Sequence, residues 1–493
     1  MEVRVRYAPS PTGLQHIGGL RTALFNYLFA RAQNGKFILR LEDTDQSRCE
    51  EAYVKNLYDT FDWLGFHWDE GPEGGPYAPY VQSKRTELYR RYALELVESG
   101  AAYYCFCSAE RLEAVRKERE EAHSSASGYD RACRNIDAKE AAERAKTESR
   151  VIRLKIPLNE KTSFNDALLG EICWQNEDIN PDPVLLKSDG FPTYHLANIV
   201  DDHFMKITHV MRAQEWLAST PMHVILYRAF GWEPPVFCHL PMVMGQDGKK
   251  LSKRHGATSI DEFRAKGFLP EALINYVALL GASYEEGTEL YTLEELSSRF
   301  KMEKLNAKPS AFDYKKLEWY NAKYVMLLED GELARRARPF AAAAGVFGEA
   351  GKEPDADQFE LFTRAMPLVK ERAVCLGELG EKLRYIFSDP AMPAPEEFIP
   401  KKSCAREAAR ILEAALDITT ALAELDEEAA QALVKEAAEK AGVKLGDFLM
   451  PLRVAITGSR VSPPLFGSIR LLGAEASCLR VRRALAELSG HGA

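Results

Sequence analysis

The strongest constraint on the fold lies at the start of the chain. Val3 and Val5 alternate with Arg4 and Arg6 before the breaker Pro9-Ser10-Pro11-Thr12-Gly13, which predicts a short strand ending in a loop. From Leu20, apolar side chains recur at Ala23, Leu24, Tyr27 and Leu28, a helical stripe closed by Asn34-Gly35. A second strand, Phe37 to Leu41, runs into Glu42-Asp43-Thr44-Asp45. Strand, helix and strand in this order make a βαβ unit. Its right-handed crossover brings both strand ends, with Arg6, Ser10 and Glu42, beside one helix N-terminus at the carboxyl edge of a parallel sheet. Open α/β sheets bind their ligands at that edge.

The whole chain of 493 residues is long enough for about three or four domains. Residues 83–189 break the α/β pattern with a Lys/Arg/Glu-rich helix near Ala109 to Ala122, a soft Ser124-Ser125-Ala126-Ser127-Gly128 segment and an alternating strand, Ile152-Leu154-Ile156. This predicts an inserted α+β subdomain between α/β halves 1–82 and 190–245. Strand signals return at Ile207 to Met211 and His239 to Met244, and a helix is expected from Pro270 to Leu280, stopped by Gly281. Thr292 with Glu295 forms a capping box. Residues 246–325 form a third region. Beyond it, Ala, Leu, Glu, Arg and Lys dominate with helical spacing such as Ala408, Ile411, Leu412 and Ala415, so 326–493 is expected to be all helical.

Charge and cysteine usage exclude several classes. Lys plus Arg is 64 against 73 Asp plus Glu, a formal charge of −9, which excludes a globally basic nucleic-acid coat and leaves a local basic face open. The nine cysteines are odd in number and mostly scattered, as at Cys49, Cys238, Cys404 and Cys478, unlike a secreted disulfide framework. The N-terminus carries no apolar signal core, and no run approaches the roughly 18 apolar residues of a membrane span. A soluble cytoplasmic protein is expected.

Two loops carry the chemistry. Pro9 to Gly19 lies between a strand and a helix N-terminus, where backbone N–H groups and the helix dipole favour anions. It lacks the Gly-Lys-Ser/Thr ending of a P-loop, so His16 is the side-chain donor it offers. The turn Gly245-Gln246-Asp247-Gly248 leads into Lys249-Lys250-Leu251-Ser252-Lys253-Arg254-His255-Gly256, a cationic stretch that reads either as a solvated charge run or as a lid clamping phosphates. In this order and separation, His-Ile-Gly-Gly and Lys-Leu-Ser-Lys-Arg resemble the HIGH and KMSKS signatures of class I aminoacyl-tRNA synthetases. Further matches are Ala8 to Gly13, Leu41 to Asp45, Thr193 to Asn198, and Phe312 to Leu317 followed by Trp319 and Asn321. Together they are similar to the bacterial-type glutamyl-tRNA synthetase family, from Val5 to about Leu472.

The resemblance implies a Rossmann-like α/β catalytic domain with an acceptor-end binding insert, a stem-contact region and an all-α anticodon-binding region. It implies ligation of L-glutamate to tRNA(Glu) through a glutamyl-adenylate, with ATP and Mg2+ as the substrate complex, and leaves charging of tRNA(Gln) open. The family roles map to Arg6, Ala8, Ser10, Glu42, Tyr194, Asn198 and Arg212 for glutamate, and to His16, Gly18, Gly19, Glu215 and Lys253 for ATP. His16, Lys250 and Lys253 are the expected catalytic residues. The chemistry fits, since glutamate presents two carboxylates and one ammonium, which call for two cationic donors and an acidic acceptor. Trp216 is a pocket contact or a buried aromatic, and Asp201-Asp202-His203 is expected to be pocket wall rather than a metal cluster. Gly19 stands where the generic signature has a second His, so the contact of that position with adenosine is expected to be made by backbone.

Arg372 aligns with the arginine that reads an anticodon base, and residues 402–450 lack the strand alternation of a glutaminyl enzyme's β-barrels. Cys105, Cys107 and Cys133, with Tyr129 as fourth ligand, form a candidate structural Zn2+ site. In the family's two-pair pattern a His follows the third Cys by two residues, whereas this chain has Asn135. Tyr129 resembles the tyrosine ligand of the glutamyl-queuosine enzyme, and a zinc-free insert with reduced thiols is the alternative. A non-catalytic tRNA-binding paralogue conflicts with the joint presence of His16, Glu42, Lys250 and Lys253. A small-molecule nucleotidyltransferase has no need of a helical 326–493 segment. A monomer is expected, with no membrane partner.

Overall fold

The computed structural model describes residues 2–121 and 128–490; Ser124 to Ser127, and Ala122 at the expected helix end, lie outside the described residues. The chain divides into two compact units. One comprises the residues up to Phe263 together with Leu273–Tyr314, the other Arg264–Ala272 and the residues from Lys315 onward.

The first unit opens with the expected βαβ: β1 (Arg4–Tyr7), α1 (Ile17–Ala32) and β2 (Lys36–Leu39). β1 and β2 pair in parallel, with Val5 opposite Phe37 and Arg6 opposite Ile38. Both are almost wholly buried, as expected for strands covered on two faces. α2 (Glu51–Leu64) and α3 (Thr86–Glu98) follow. The inserted stretch supplies β3 (Ala102–Cys105), α4 (Ala109–Glu121), α5 (Ala138–Arg144), β4 (Val151–Leu154), β5 (Lys161–Asp166), β6 (Gly170–Gln175) and β7 (Val184–Leu186). β3, β4 and β7 form an antiparallel sheet. The β5–β6 hairpin instead joins the catalytic sheet, in the order β6, β5, β9, β8.

α6 (Tyr194–Phe204), β8 (His209–Ala213), α7 (Thr220–Ala229), β9 (Val236–Leu240) and the short β10 (Val243–Met244) return the chain to the α/β core. β8 and β9 run parallel, β8 two residues later and β9 three to four residues earlier than alternation suggested. Just before β8, Thr208 is spent on stitching to β1: its N–H donates to Arg4 O at 2.9 Å and its hydroxyl accepts from Arg4 N at 2.9 Å. Ile199, Val200, Val210, Leu226 and Phe237 share one core. α8 (Ile260–Lys266), α9 (Pro270–Ala278), α10 (Leu293–Arg299) and β11 (Ser310–Ala311) follow; the Thr292/Glu295 capping box is formed, and β11 pairs with β10.

From α11 (Tyr314–Leu327) onward, no further strand occurs among the described residues. α12 (Asp330–Ala343), α13 (Ala356–Lys370) and α14 (Gly377–Phe387) bury Leu333, Phe362 and Leu379 in one core. α15 (Ala405–Leu422), α16 (Glu427–Ala441), α17 (Leu445–Thr457) and α18 (Leu465–Gly490, broken at Gly473 with φ 79°) build another around Ile411, Leu412, Val434 and Phe448. Ala408, Ile411, Leu412 and Ala415 all face inward, as their spacing required.

Candidate active site

β1, β2, α6 and β8 deliver their charged side chains to one buried cluster at the carboxyl edge of the sheet. Arg6 leaves β1 with 4% of its side chain exposed and meets Asp202 of α6, 2% exposed, through Nε at 3.1 Å and Nη2 at 3.2 Å. Nη2 also donates to Asn198 Oδ1 at 3.3 Å. Arg40, just beyond β2 and fully buried, donates to Asp202 at 2.6 Å, Glu42 Oε1 at 2.9 Å and Asn198 Oδ1 at 3.0 Å. Asp201 accepts from Gln82, Arg85 and Tyr89 at 3.0, 2.7 and 2.8 Å.

These contacts shift the titration of the buried groups. Burial opposes the charge on Arg40, but Asp202, Glu42 and Asp201 outweigh it and raise its pKa well above the ordinary value. Burial likewise opposes ionisation of Asp202, and Arg6 and Arg40 overcome it, holding the carboxyl below its usual range. For Glu42 burial wins over Arg40, so its pKa is raised. Arg6 Nη1 and Glu42 Oε2 have no partner among the described residues, leaving one donor and one acceptor at the wall of the cleft.

Asn198 Oδ1 faces two arginines, so its amide nitrogen is aimed at Tyr194 Oη, 3.3 Å away across one turn of α6. That oxygen also accepts from Arg212 Nη1 at 3.1 Å, which leaves the phenol proton free to donate. The Tyr194 ring packs against Trp216, with centroids 4.3 Å apart. Arg212, the fourth residue of β8, is held by neutral acceptors: His239 Nε2 at 3.1 Å from Nε, and Thr220 Oγ1 at 2.8 Å and His223 Nδ1 at 3.2 Å from Nη2. Burial first and Arg212 second keep both nearby histidines uncharged, His223 well below its ordinary pKa and His195 lowered to about 4. Arg6, Glu42, Tyr194, Asn198 and Arg212 are thus linked by hydrogen bonds through one cluster. Ala8 and Ser10 lie on its rim, where Pro9 O accepts the Glu42 N–H at 3.0 Å.

The two signature loops are stitched together. Ile17 N donates to Thr258 O at 3.1 Å and Ile260 N to Gln15 O at 3.0 Å, which sets His16 opposite Ser259. His16 caps α1, its Nδ1 accepting from Gly19 N at 3.1 Å. Burial, and then the Lys250 ammonium, lower its pKa. A neutral ring accepting at Nδ1 carries its proton on Nε2, a donor for phosphate oxygen. Of the N–H groups of residues 17–19, those of Ile17 and Gly19 are occupied, so Gly18 N–H alone remains free among the described residues. A Cβ on Gly19 would lie 2.8 Å from Tyr7 Oη, which explains why no larger side chain stands there.

Lys250 is paired with Glu215 at 2.6 Å, while Lys253 and Arg254 are exposed. His255 fixes the turn through Ser252 and, at 3.0 Å, Asp247; a Cβ on Gly245 would meet its ring at 2.6 Å.

In the insert, Cys107 and Cys133 Sγ atoms are 3.6 Å apart, and Tyr129 Oη lies 3.3 Å from Cys105 Sγ and 3.7 Å from Cys107 Sγ. The three thiols fall within 4.8 Å of one another. A tetrahedral zinc with bonds of about 2.3 Å to sulfur and 2.0 Å to oxygen requires edges of about 3.8 and 3.5 Å, so the donor set fits. Cys133 N supports Tyr129 Oη at 2.9 Å, and Arg153 lies 3.8 Å over the ring.

In the helical unit, Arg372 is exposed just after α13 and lines a cavity of about 590 Å³ with Lys382, Arg384, Tyr385 and Val461.

Arg40, His223 and His239 are pocket residues that sequence reasoning missed. For Arg40 the signal was present: a charged residue inside the apolar run Phe37-Ile38-Leu39-Arg40-Leu41. The histidines carried none, since their role depends on β9 and α7 lying beside β8.

Residues 2–319 match the family model for class I tRNA synthetases (E and Q), catalytic domain, and residues 332–485 match that for an anticodon binding domain. A glutamate–tRNA ligase of Treponema denticola is 56% identical, covering 99% of this chain and 100% of the relative. One of Borreliella burgdorferi is 49% identical over 96% of each. The crystal structure of a glutamate tRNA ligase from Elizabethkingia meningosepticum, in complex with its amino acid, superposes with a TM-score of 0.87 at 33% identity, covering 99% of this chain and 100% of that one.

Proposed function

The chain belongs to the class I tRNA synthetases of the E and Q type, among the glutamate–tRNA ligases, and on that premise we propose that it joins L-glutamate to tRNA(Glu) in two steps. The glutamate carboxylate attacks the α-phosphorus of Mg2+-bound ATP and pyrophosphate leaves. A ribose hydroxyl of the terminal adenosine of the tRNA then attacks the acyl carbon of the adenylate, the ester forms and AMP leaves. No protein nucleophile is needed, so catalysis lies in alignment and charge stabilisation.

One observation carries the choice of amino acid. Arg6, Arg40 and Arg85 face Glu42, Asp201 and Asp202, three positive charges against three negative. Arg212 is buried with no carboxylate in ion-pair range among the described residues, and its partners are neutral. Arg212 therefore has no direct counter-ion, its nearest carboxylate, Asp166, standing behind His239. The second carboxylate of glutamate can meet it directly, whereas the neutral amide of glutamine cannot. In this reading Arg212, Arg6 Nη1 and the Tyr194 hydroxyl receive carboxylate, and Glu42 Oε2 takes the ammonium beside Ala8, Ser10 and Asn198. His16 Nε2–H, Gly18 N–H and Lys253 hold ATP phosphates. Gly19 gives the adenosine room, because its own N–H is occupied. Lys250 works from its pairing with Glu215.

The finer division of the chain belongs to the same reading: 1–82 and 190–245 catalytic, 83–189 acceptor-end binding, 246–325 stem contact and 326–493 anticodon binding. Arg372 and its cavity receive an anticodon base. Cys105, Cys107, Tyr129 and Cys133 would hold one Zn2+, which would clamp the loops of the insert without entering the reaction. No helix of the described residues is long and apolar enough to cross a membrane. The same reading has the chain work as a monomer on cytoplasmic tRNA. Acylation of purified tRNA(Glu) and tRNA(Gln) with labelled glutamate tests the function. Labelling of tRNA(Glu) that depends on ATP supports it, and none with either tRNA refutes it; the tRNA(Gln) arm decides whether that tRNA is a second substrate.

A further inference from the structure

The pocket arginine without a direct carboxylate partner leans on His239, which is held in turn by Asp166. Asp166, the last residue of β5, and His239, the fourth of β9, are both fully buried, and their side chains meet at 2.6 Å between Oδ2 and Nδ1. Asp166 Oδ2 also accepts the His239 backbone N–H at 3.1 Å, while Oδ1 accepts the N–H groups of Leu168 and Leu169 at 3.0 and 2.9 Å. All four contacts bring a donor to the carboxylate. The His239 proton must therefore sit on Nδ1, leaving a lone pair on Nε2 facing Arg212 Nε at 3.1 Å. With the proton on Nε2 instead, two N–H groups would collide there.

We propose that Asp166 and His239 are a positioning dyad, which fixes the histidine tautomer so that the ring accepts from Arg212 Nε and holds its Nη edge toward the carboxylate of the bound amino acid. The arrangement is that of a carboxylate orienting the imidazole behind a metal, with a guanidinium in the metal's place. Asp166 comes from the inserted stretch, whose β5 pairs in parallel with β9 at Phe237. The insert thereby reaches the amino-acid pocket through three side chains in series. This inference rests on the reading of Arg212 as a carboxylate contact.

In Asp166→Asn an amide replaces an oxygen facing donors. Turned toward His239, its NH2 group drives the ring proton to Nε2, against Arg212. In His239→Leu the acceptor is gone. For both variants, KM for glutamate in tRNA acylation is expected to rise about tenfold or more, the scale on which outer hydrogen-bond partners act at metal sites, while KM for ATP stays within about twofold. His239→Gln, whose amide oxygen stands near the position of Nε2, should recover most of the glutamate affinity, which a purely structural role for the ring would not explain. An unchanged KM for glutamate in His239→Leu, or an equal rise in KM for ATP, overturns the proposal. Arg212→Ala separates the two levels. If it leaves KM for glutamate unchanged, the reading of Arg212 falls and the dyad with it; if it raises KM and His239→Leu does not, the dyad alone falls. The wild-type protein gives a test free of any folding defect. Selective 15N-histidine NMR, with the resonance assigned by its loss in His239→Gln, should find the His239 proton on Nδ1, and a proton on Nε2 refutes the dyad.

Discussion

Replacing Arg6 by alanine tests the pocket most directly, because the structure limits what that arginine can give to glutamate. An isolated guanidinium in a pocket would offer a bidentate fork to the substrate carboxylate. Here Nε and Nη2 are already committed to Asp202 and Asn198, leaving Nη1 for the ligand. One hydrogen bond to a charged partner contributes about 1.5–3 kcal/mol, which converts to a rise of roughly 10- to 150-fold in KM for glutamate. The substitution also leaves Asp202 with Arg40 as its remaining ion-pair partner. Breaking a buried pair from one side costs about 3–5 kcal/mol, so the thermal midpoint of the catalytic unit should fall, and adding Asp202→Asn should recover part of the loss by removing the carboxylate left behind. Steady-state acylation at varied glutamate, with unfolding followed by circular dichroism, reads both effects. A KM change below about threefold in folded protein would remove Arg6 from the substrate, and a loss of stability that Asp202→Asn only deepens would refute the account of the buried network.

Three further outcomes follow from the same geometry. Lys253→Ala should slow adenylate formation by about a hundredfold, the scale for deleting a preorganised charge stabiliser, while leaving glutamate binding within about twofold; a normal single-turnover rate with tRNA present would detach that loop from the chemistry. Elemental analysis of protein made without a metal-binding tag should find about one zinc per chain, the number a single tetrahedral site holds, and Cys107→Ser should lower it; a metal-free, fully active preparation excludes the site. Arg372→Ala should raise KM for tRNA(Glu) about tenfold, as expected for one lost charged hydrogen bond, with KM for ATP unchanged, and equal tRNA kinetics would show that the cavity beside it reads nothing.

What could be read from the sequence divides along the range of the interactions involved. The α1 stripe, the Thr292/Glu295 box and the helices of the C-terminal unit depend on contacts within a few residues, the βαβ start on a crossover of fixed hand, and all were legible. The β5–β6 hairpin was not. β6 alternates only weakly, with Ile172 and Trp174 half-buried among exposed neighbours, and β5 finds its place by pairing with β9 some seventy residues later. The same distinction holds at the site. Arg6, Glu42, Tyr194, Asn198 and Arg212 were identified by type and by resemblance, but a list of types assigns every cation to the ligand. The folded chain shows instead that three of the four pocket-side arginines, Arg6, Arg40 and Arg85, are satisfied by Asp201, Asp202 and Glu42. Arg212 has no carboxylate within ion-pair range among the described residues, so in the proposed reading it is the arginine that meets the acidic amino acid directly. Which carboxylates lie near which arginines depends on β1, β2, α6 and β8 lying side by side, a relation that no spacing within the sequence encodes.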